Sequence, residues 1–205
     1  MKKGLLIVVS GPSGAGKGVT CKRLKELAPD IQVSVSCTTR APRQGEIDGQ
    51  AYFFLTEAEF NQKIEAGGFL EHASYLNHQY GTPKDYVFDM LEQGKDVILE
   101  IEVQGALMVN AHYPEAVLMF VLPPSLAVLE QRLVARGTET EEQTKRRLEI
   151  AKKEIELLND YDYVIKNDKI DNAAKQMLTI ISAEKCAVKR NIELSSRLLQ
   201  GENIL

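Results

Sequence analysis

The stretch LLIVVSGPSGAGKGVTCKRL, Leu5–Leu24, constrains the fold more than any other part of the chain. An apolar run, Leu5–Val9, ends in a glycine-rich segment, followed by Lys17 and a helical pattern over Val19–Leu27. The glycines and the lysine stand at G-x-x-x-x-G-K, from Gly11 to Lys17. Between a strand and a helix, this spacing lets backbone N–H groups converge on phosphate oxygens, and the helix N-terminus adds the positive end of its dipole. Gly11, Pro12, Ser13, Gly14, Ala15 and Gly16 therefore read as a phosphate cradle. Lys17 would reach the outer phosphates of a nucleoside triphosphate as a mobile point charge. A glycine-rich turn beside a surface lysine would explain the composition, but not the agreement of strand, spacing, lysine and helix.

One position departs from the motif. Where Ser or Thr would offer a hydroxyl to magnesium, this chain has Gly18. Two readings are open. Water and the nucleotide's own phosphates could complete the ion's shell, since Mg²⁺ usually keeps several waters. Alternatively Thr20, about one turn into the helix, could supply a hydroxyl.

Further apolar runs recur at Val97–Ile101, Val117–Leu122 and Tyr163–Ile165, with a weaker one at Ile31–Val35. Continuous runs of this length suit strands buried on both faces, as in a parallel sheet. Helical patterns lie between them, at Lys84–Gln93 and Val103–His112; Thr82-Pro83 predicts an N-cap followed by proline at the first helical position. The alternation implies an α/β fold, a parallel sheet flanked by helices. Two stretches break it. Residues 36–81, rich in Gly, Arg, Tyr and Phe, read as small antiparallel strands plus one helix opened by a capping box at Thr56 and Glu59. Residues 123–161 are charged and helical, with Leu148, Ala151, Ile155 and Leu158 along one stripe, so they pack on one side only and could move as a lid. Residues 171–199 read as helical, with a frayed end.

Within the insert, Arg40 and Arg43 stand three apart, with Tyr52 and Tyr80 further along. Two guanidinium groups and two phenol hydroxyls make a receptor for a phosphate dianion. Glu71 near Ser and Thr hydroxyls suits the Watson–Crick edge of guanine, whose N1–H and N2–H₂ need a bidentate acceptor; adenine presents the opposite pattern. Taken alone, each of these residues reads equally well as an ordinary loop arginine or a solvated edge-strand glutamate.

Together the segments are recognisable. SCTTRAPRQGEIDGQAYFF, FLEHA with YGTP, ILEIEVQGA, LPPS, RGTETEE followed by KRRL, and VIKND, added to the phosphate loop, resemble the guanylate kinase family over nearly the whole sequence. The resemblance implies a P-loop parallel-sheet core (1–35, 84–123 and 162–205), an inserted GMP-binding subdomain (36–83) and a helical lid (124–161). It implies transfer of the γ-phosphoryl group of ATP to GMP, with Mg²⁺ as cofactor, and dGMP as a further acceptor. On matching positions, Ser36, Glu71 and Thr82 would contact the base, and Arg40, Arg43, Tyr52 and Tyr80 the GMP phosphate. Glu100 would lie near magnesium, through water, and Glu102 near the guanine amino group; many relatives carry Asp at both places. Arg132, Arg136 and Arg147 would reach the ATP phosphates and the transferring group. ATP would be held by residues Gly11 to Thr20, Lys17, Gly18 and Val19 among them, with Asn167 near the adenine. Some relatives end the last segment in NDD, where this chain has Lys169.

The other features narrow the field. The net charge of −4 disfavours nucleic-acid binding. No apolar run approaches the roughly 18 residues that span a bilayer, and no signal peptide is evident. Three scattered cysteines read as reduced thiols, so a cytoplasmic location is expected, with homo-oligomerisation left open. His72, His78 and His112 read as structural. A regulatory GTPase lacks support, because no Asn-Lys-x-Asp motif is present. The rival is a non-catalytic guanylate-kinase-like module that binds phosphopeptides; such modules typically carry a degraded phosphate loop, whereas Lys17 is retained here.

Overall fold

The computed structural model describes residues 3–75, 77–135 and 141–203, and at Tyr75 and Glu141 the backbone alone. Five strands, β1 (Leu6–Ser10), β2 (Gln32–Val33), β7 (Val97–Glu100), β8 (Val117–Leu122) and β9 (Tyr163–Lys166), form one sheet in the order β2-β7-β1-β8-β9. Every pairing in it is parallel. Alternate residues of β1 face opposite ways. Ile7 and Val9 pack with Cys21 and Leu24 of α1 (Lys17–Leu27) and with Ala174, Met177 and Ile181 of α7 (Ile170–Cys186). Leu6 and Val8 pack with Val87 and Leu91 of α3 (Lys84–Glu92) and Val109 of α4 (Val103–His112). Helices on both faces explain why these strands read as unbroken apolar runs.

The chain leaves β1 through α1 toward one edge, and leaves β7 through α4 toward β8 on the far side of β1. Such reversals open a crevice outside the carboxyl ends of the strands. The phosphate loop follows β1 there, and Glu100 and Glu102 follow β7. Two aspartates anchor the opposite end of the sheet: Leu5 N–H donates to Asp96 at 3.0 Å, and Leu118 N–H to Asp162 at 2.8 Å.

A second sheet runs β4 (Phe53–Phe54), β3 (Cys37–Thr38), β6 (His78–Pro83), β5 (Phe69–Tyr75). The β3–β6 and β5–β6 pairs are antiparallel, but β3–β4 is parallel, contrary to the all-antiparallel expectation. The long connection between β3 and β4 gives the chain room to return in the same direction. The capping box forms: Thr56 Oγ1 accepts from Glu59 N–H, and the Glu59 carboxylate from Thr56 N–H, at the start of α2 (Glu57–Glu65). Phe60 of α2 is fully buried and stacks on Phe69 at 4.6 Å. Gly81 is the strand residue beneath them; a Cβ there would lie 2.9 Å from the Phe69 ring.

Two expected helix boundaries shift. The N-cap of α3 is Pro83, without a side-chain cap, rather than Thr82. The Thr82 hydroxyl donates instead to Glu71 at 2.7 Å, and a charge-assisted bond to a carboxylate outweighs a neutral cap. The predicted helix over 171–199 breaks after α7 and resumes as α8 (Glu193–Leu199). At the break, Asn191 Nδ2 donates to the carbonyls of Lys185 and Ala187, and Arg190 pairs with Glu184 at 3.0 Å, so side chains satisfy the end of α7.

In the charged stretch, α5 (Leu126–Val134) is capped by Ser125, whose Oγ accepts from Val128 N–H, and α6 (Glu141–Glu156) lies beside it. Leu148 and Ala151 of the expected stripe pack on Leu129 and Leu133 of α5. The second sheet owes more to the Phe60 ring than to the α2 cap. Phe60→Ala should cost about 3–5 kcal/mol and Thr56→Ala about 1 kcal/mol. Urea unfolding of the two variants checks the order, and an equal loss in both would refute it.

Candidate active site

The phosphate loop has the backbone its glycines permit. Gly11, Gly14 and Gly16 sit at φ of 138°, 90° and 96°. The space is as restrictive as the angle: a Cβ on Gly11 would lie 2.4 Å from the Val121 carbonyl oxygen, and one on Gly16 2.3 Å from Asn167 Nδ2. Lys17 is 9% exposed; its ammonium donates to the Gly11 carbonyl at 2.6 Å and stands 3.6 Å from Glu102. Pro12, Ser13, Gly14, Gly16, Lys17, Gly18, Val19, Glu100 and Glu102 line a cleft of about 420 Å³, joined by Lys22, which the sequence did not single out.

Thr20 is fully buried, and its hydroxyl donates to the Gly16 carbonyl at 2.9 Å. It is thus turned into the helix and does not line the cleft. A Cβ on Gly18 would lie 3.2 Å from Glu100 Oε1. The missing hydroxyl therefore faces a carboxylate. Burial and the neighbouring Glu102 push the Glu100 carboxyl above its ordinary range, against the pull of Lys17. Glu154 of α6, absent from the sequence-based expectations, feels the same field. Burial, then repulsion from Glu102, raises it to about 7, while Lys17 opposes.

The second sheet builds the opposite wall. Arg40 Nη2 pairs with Glu46 at 2.9 Å, and its guanidinium lies over the rings of Tyr52 and Phe54, 5.4 and 5.9 Å from their centroids. Arg43 N–H donates to the other Glu46 oxygen at 2.7 Å. Glu46 was not foreseen as a site residue, although it stands in the same Arg-x-x-Arg-x-x-Glu run. Tyr52 and Tyr80 meet edge to face at 6.0 Å.

Glu71 is 5% exposed, and burial raises its pKa while the Thr82 hydrogen bonds oppose the rise. Its Oε2 lies 2.6 Å from where a Cβ on Gly105 would stand. Gly105 of α4 was also missed; its lack of a side chain admits the carboxylate.

These walls enclose a cleft of about 540 Å³ lined by Ser13, Ser36, Arg40, Arg43, Tyr52, Glu71, Ala73, His78, Tyr80, Glu100, Ile101, Glu102, Gly105 and Arg147. It brings together most residues expected at the acceptor. His78, read as structural, lies on its wall. Arg147 reaches in from α6, Nη1 donating to Ser13 Oγ at 3.3 Å. Thr82 acts from behind Glu71. Arg136 lies outside the described residues. Arg132 and Asn167 are not on either wall: Arg132 donates to the carbonyls of Ala15 and Asn167, both at 3.1 Å, and Asn167 is buried beneath the loop.

Known proteins point the same way. The family model for guanylate kinase matches residues 3–184. Guanylate kinases of Halalkalibacterium halodurans and Caldanaerobacter subterraneus are 50% and 51% identical, over 98% and 94% of this chain and the same shares of theirs. The crystal structure of guanylate kinase from Anaplasma phagocytophilum superposes with a TM-score of 0.75 at 33% identity, covering 92% of this chain and 90% of that one. The chain belongs to the guanylate kinase family.

Proposed function

We propose that this chain transfers the γ-phosphoryl group of ATP, taken as its magnesium complex, to GMP or dGMP, giving ADP and GDP or dGDP. One observation carries the reading: a single cleft, lined at one point by Ser13 of the phosphate loop, also holds the buried Glu71 carboxylate and the Arg40 and Arg43 side chains. Glu71 and Ser36 read the base and Glu102 its amino group. Arg40, Arg43, Tyr52 and Tyr80 hold the acceptor phosphate. The phosphate loop and Lys17 hold the donor. The acceptor's second pKa is about 6, so it arrives largely as a dianion and needs no general base. Catalysis is then alignment and charge neutralisation, with Lys17 and Arg147 facing the transferring group. Residues 124–161 act as a lid that excludes water as a competing acceptor.

The carboxylates fit magnesium as an ion that travels with ATP. Among the described residues, no group of three or more His, Cys, Asp or Glu could hold a metal by itself. Glu100, beside Gly18, would meet the ion through water, with phosphates and waters completing the shell. The ion would neutralise charge on the phosphates during transfer.

The phosphopeptide-module reading needs the receptor around Arg40 but not the cradle. An intact loop with Lys17 seated in it favours turnover. Among the described residues, no helix is long and apolar enough to cross a membrane. Cys21, Cys37 and Cys186 are free thiols, which suits the reducing cytoplasm.

ADP release from Mg-ATP, measured in a coupled assay with GMP, dGMP, AMP, UMP or no acceptor, tests the reading. Turnover is expected with the two guanine nucleotides alone; GMP binding without turnover would support the module instead. Arg147→Ala should lower kcat by ~10³-fold or more, as for an arginine finger, with little change in KM for GMP. A change confined to KM would remove Arg147 from the transfer step. Glu71→Gln should lower kcat/KM for GMP by about 10²-fold, the loss of charge-assisted hydrogen bonds, and narrow the margin over AMP. Retention of the full margin would show that the base is read elsewhere.

A further inference from the structure

Among the described residues, Ala15 is the one loop residue whose carbonyl oxygen is held by two side chains from outside the loop. Asn167, at the end of β9, donates its Nδ2 at 2.8 Å, and Arg132 of α5 donates its Nη1 at 3.1 Å. Arg132 Nη2 also donates to the Asn167 carbonyl, which ties the two donors to each other. Leu129 and Leu133 of α5 stand 3.0 and 3.1 Å from where a Cβ on Gly14 would project. Residues 129, 132 and 133 thus share one helix face, at i, i+3 and i+4, and that face lies against the loop.

A trans peptide unit is planar, with its C=O and N–H pointing opposite ways. Holding the Ala15 carbonyl toward Asn167 and Arg132 turns the Gly16 N–H away from them, to the side where Gly14, Lys17 and Gly18 line the donor cleft. Gly16 is the counterpart of this hold, because any side chain there would strike the Asn167 amide. The arrangement is poor packing for its own sake. Asn167 is 2% exposed and its Oδ1 is buried without a hydrogen-bond partner among the described residues, a state that ordinarily costs stability.

We propose that Asn167 and Arg132 are positioning residues that clamp the Ala15 peptide, so that the Gly16 N–H is aimed at the donor's phosphates before the nucleotide arrives. Asn167 therefore acts on the phosphates through the loop and not on the adenine. The inference rests on the reading that the loop binds the donor, and wild-type turnover with GMP tests that reading separately.

The test uses the full chain with Asn167→Ala and with Asn167→Asp, which has the same size but puts an acceptor where a donor stands. Calorimetric titration would measure Mg-ADP and Mg-tripolyphosphate, which has no base; steady-state assays would give both KM values, and thermal melts would report folding. A clamp predicts about tenfold weaker binding of both ligands in Asn167→Ala and a larger loss in Asn167→Asp. KM for ATP would rise, with KM for GMP within about twofold. Loss for Mg-ADP with tripolyphosphate unchanged would mean that Asn167 contacts the base, and would overturn the proposal. Parallel loss of GMP binding with a lowered Tm would reduce Asn167 to a structural role, and unchanged binding of both ligands would leave no clamp.

Discussion

The chemistry of the molecule depends on a buried ammonium. Lys17 is withdrawn from solvent, bound to the Gly11 carbonyl and close to Glu102. Its charge is shared among three carboxylates from two places: Glu100 and Glu102 at the end of β7, and Glu154 on α6. Acidic groups crowded around one cation repel one another. Burial first, and repulsion from Glu102 after it, make Glu100 and Glu154 harder to ionise than carboxyls in water. The ammonium thus offsets an acidic pocket. The glycine geometry of the loop, the end of β7 and the placement of α6 all serve that one cation.

The acceptor wall follows a different electrostatic plan. The Arg40 guanidinium is held in place within the protein, since Glu46 ties it to the backbone N–H of Arg43. Deep in the same wall, Glu71 is kept by the Thr82 hydroxyl and by the space that Gly105 leaves. A carboxylate so buried favours a ligand that can donate to it, and the guanine edge offers donors where adenine offers an acceptor. The position of the Glu71 carboxylate is therefore set by α4 and β6 as much as by its own strand.

Local signals in the sequence carried much of this. The apolar runs marked every strand of the parallel sheet: burial on both faces leaves an unbroken pattern in β1, β7 and β8, and shorter or weaker runs mark the partly exposed edge strands β2 and β9. Thr56 and Glu59 marked the start of α2, because a capping box is complete within four residues. The residues that escaped notice act over longer range. Gly105 matters for space beside Glu71 on a different sheet, and Glu154 matters through a field set by residues more than fifty positions away. Thr82 misled for a related reason: its sequence neighbours describe a helix cap, while the bond that wins comes from β5. Arg132 and Asn167 were expected at the nucleotide from family resemblance, and only the folded chain reveals their shared hold on Ala15.

Gly18 and Glu100 make sense only together. Read alone, Gly18 is a missing magnesium ligand, and Glu100 is a side chain one methylene longer than the aspartate of many relatives. In the folded chain the first vacates the space that the second approaches, at 3.2 Å from a Cβ on Gly18. With Thr20 committed to the Gly16 carbonyl, the oxygen presented at this corner of the donor cleft comes from the strand end and not from the helix. A carboxylate brings negative charge where a hydroxyl brings only a dipole, and Lys17 is close enough to temper it. The departure from the motif is thus matched within the fold: where the start of α1 lacks a hydroxyl, a carboxylate oxygen from the end of β7 approaches the same space.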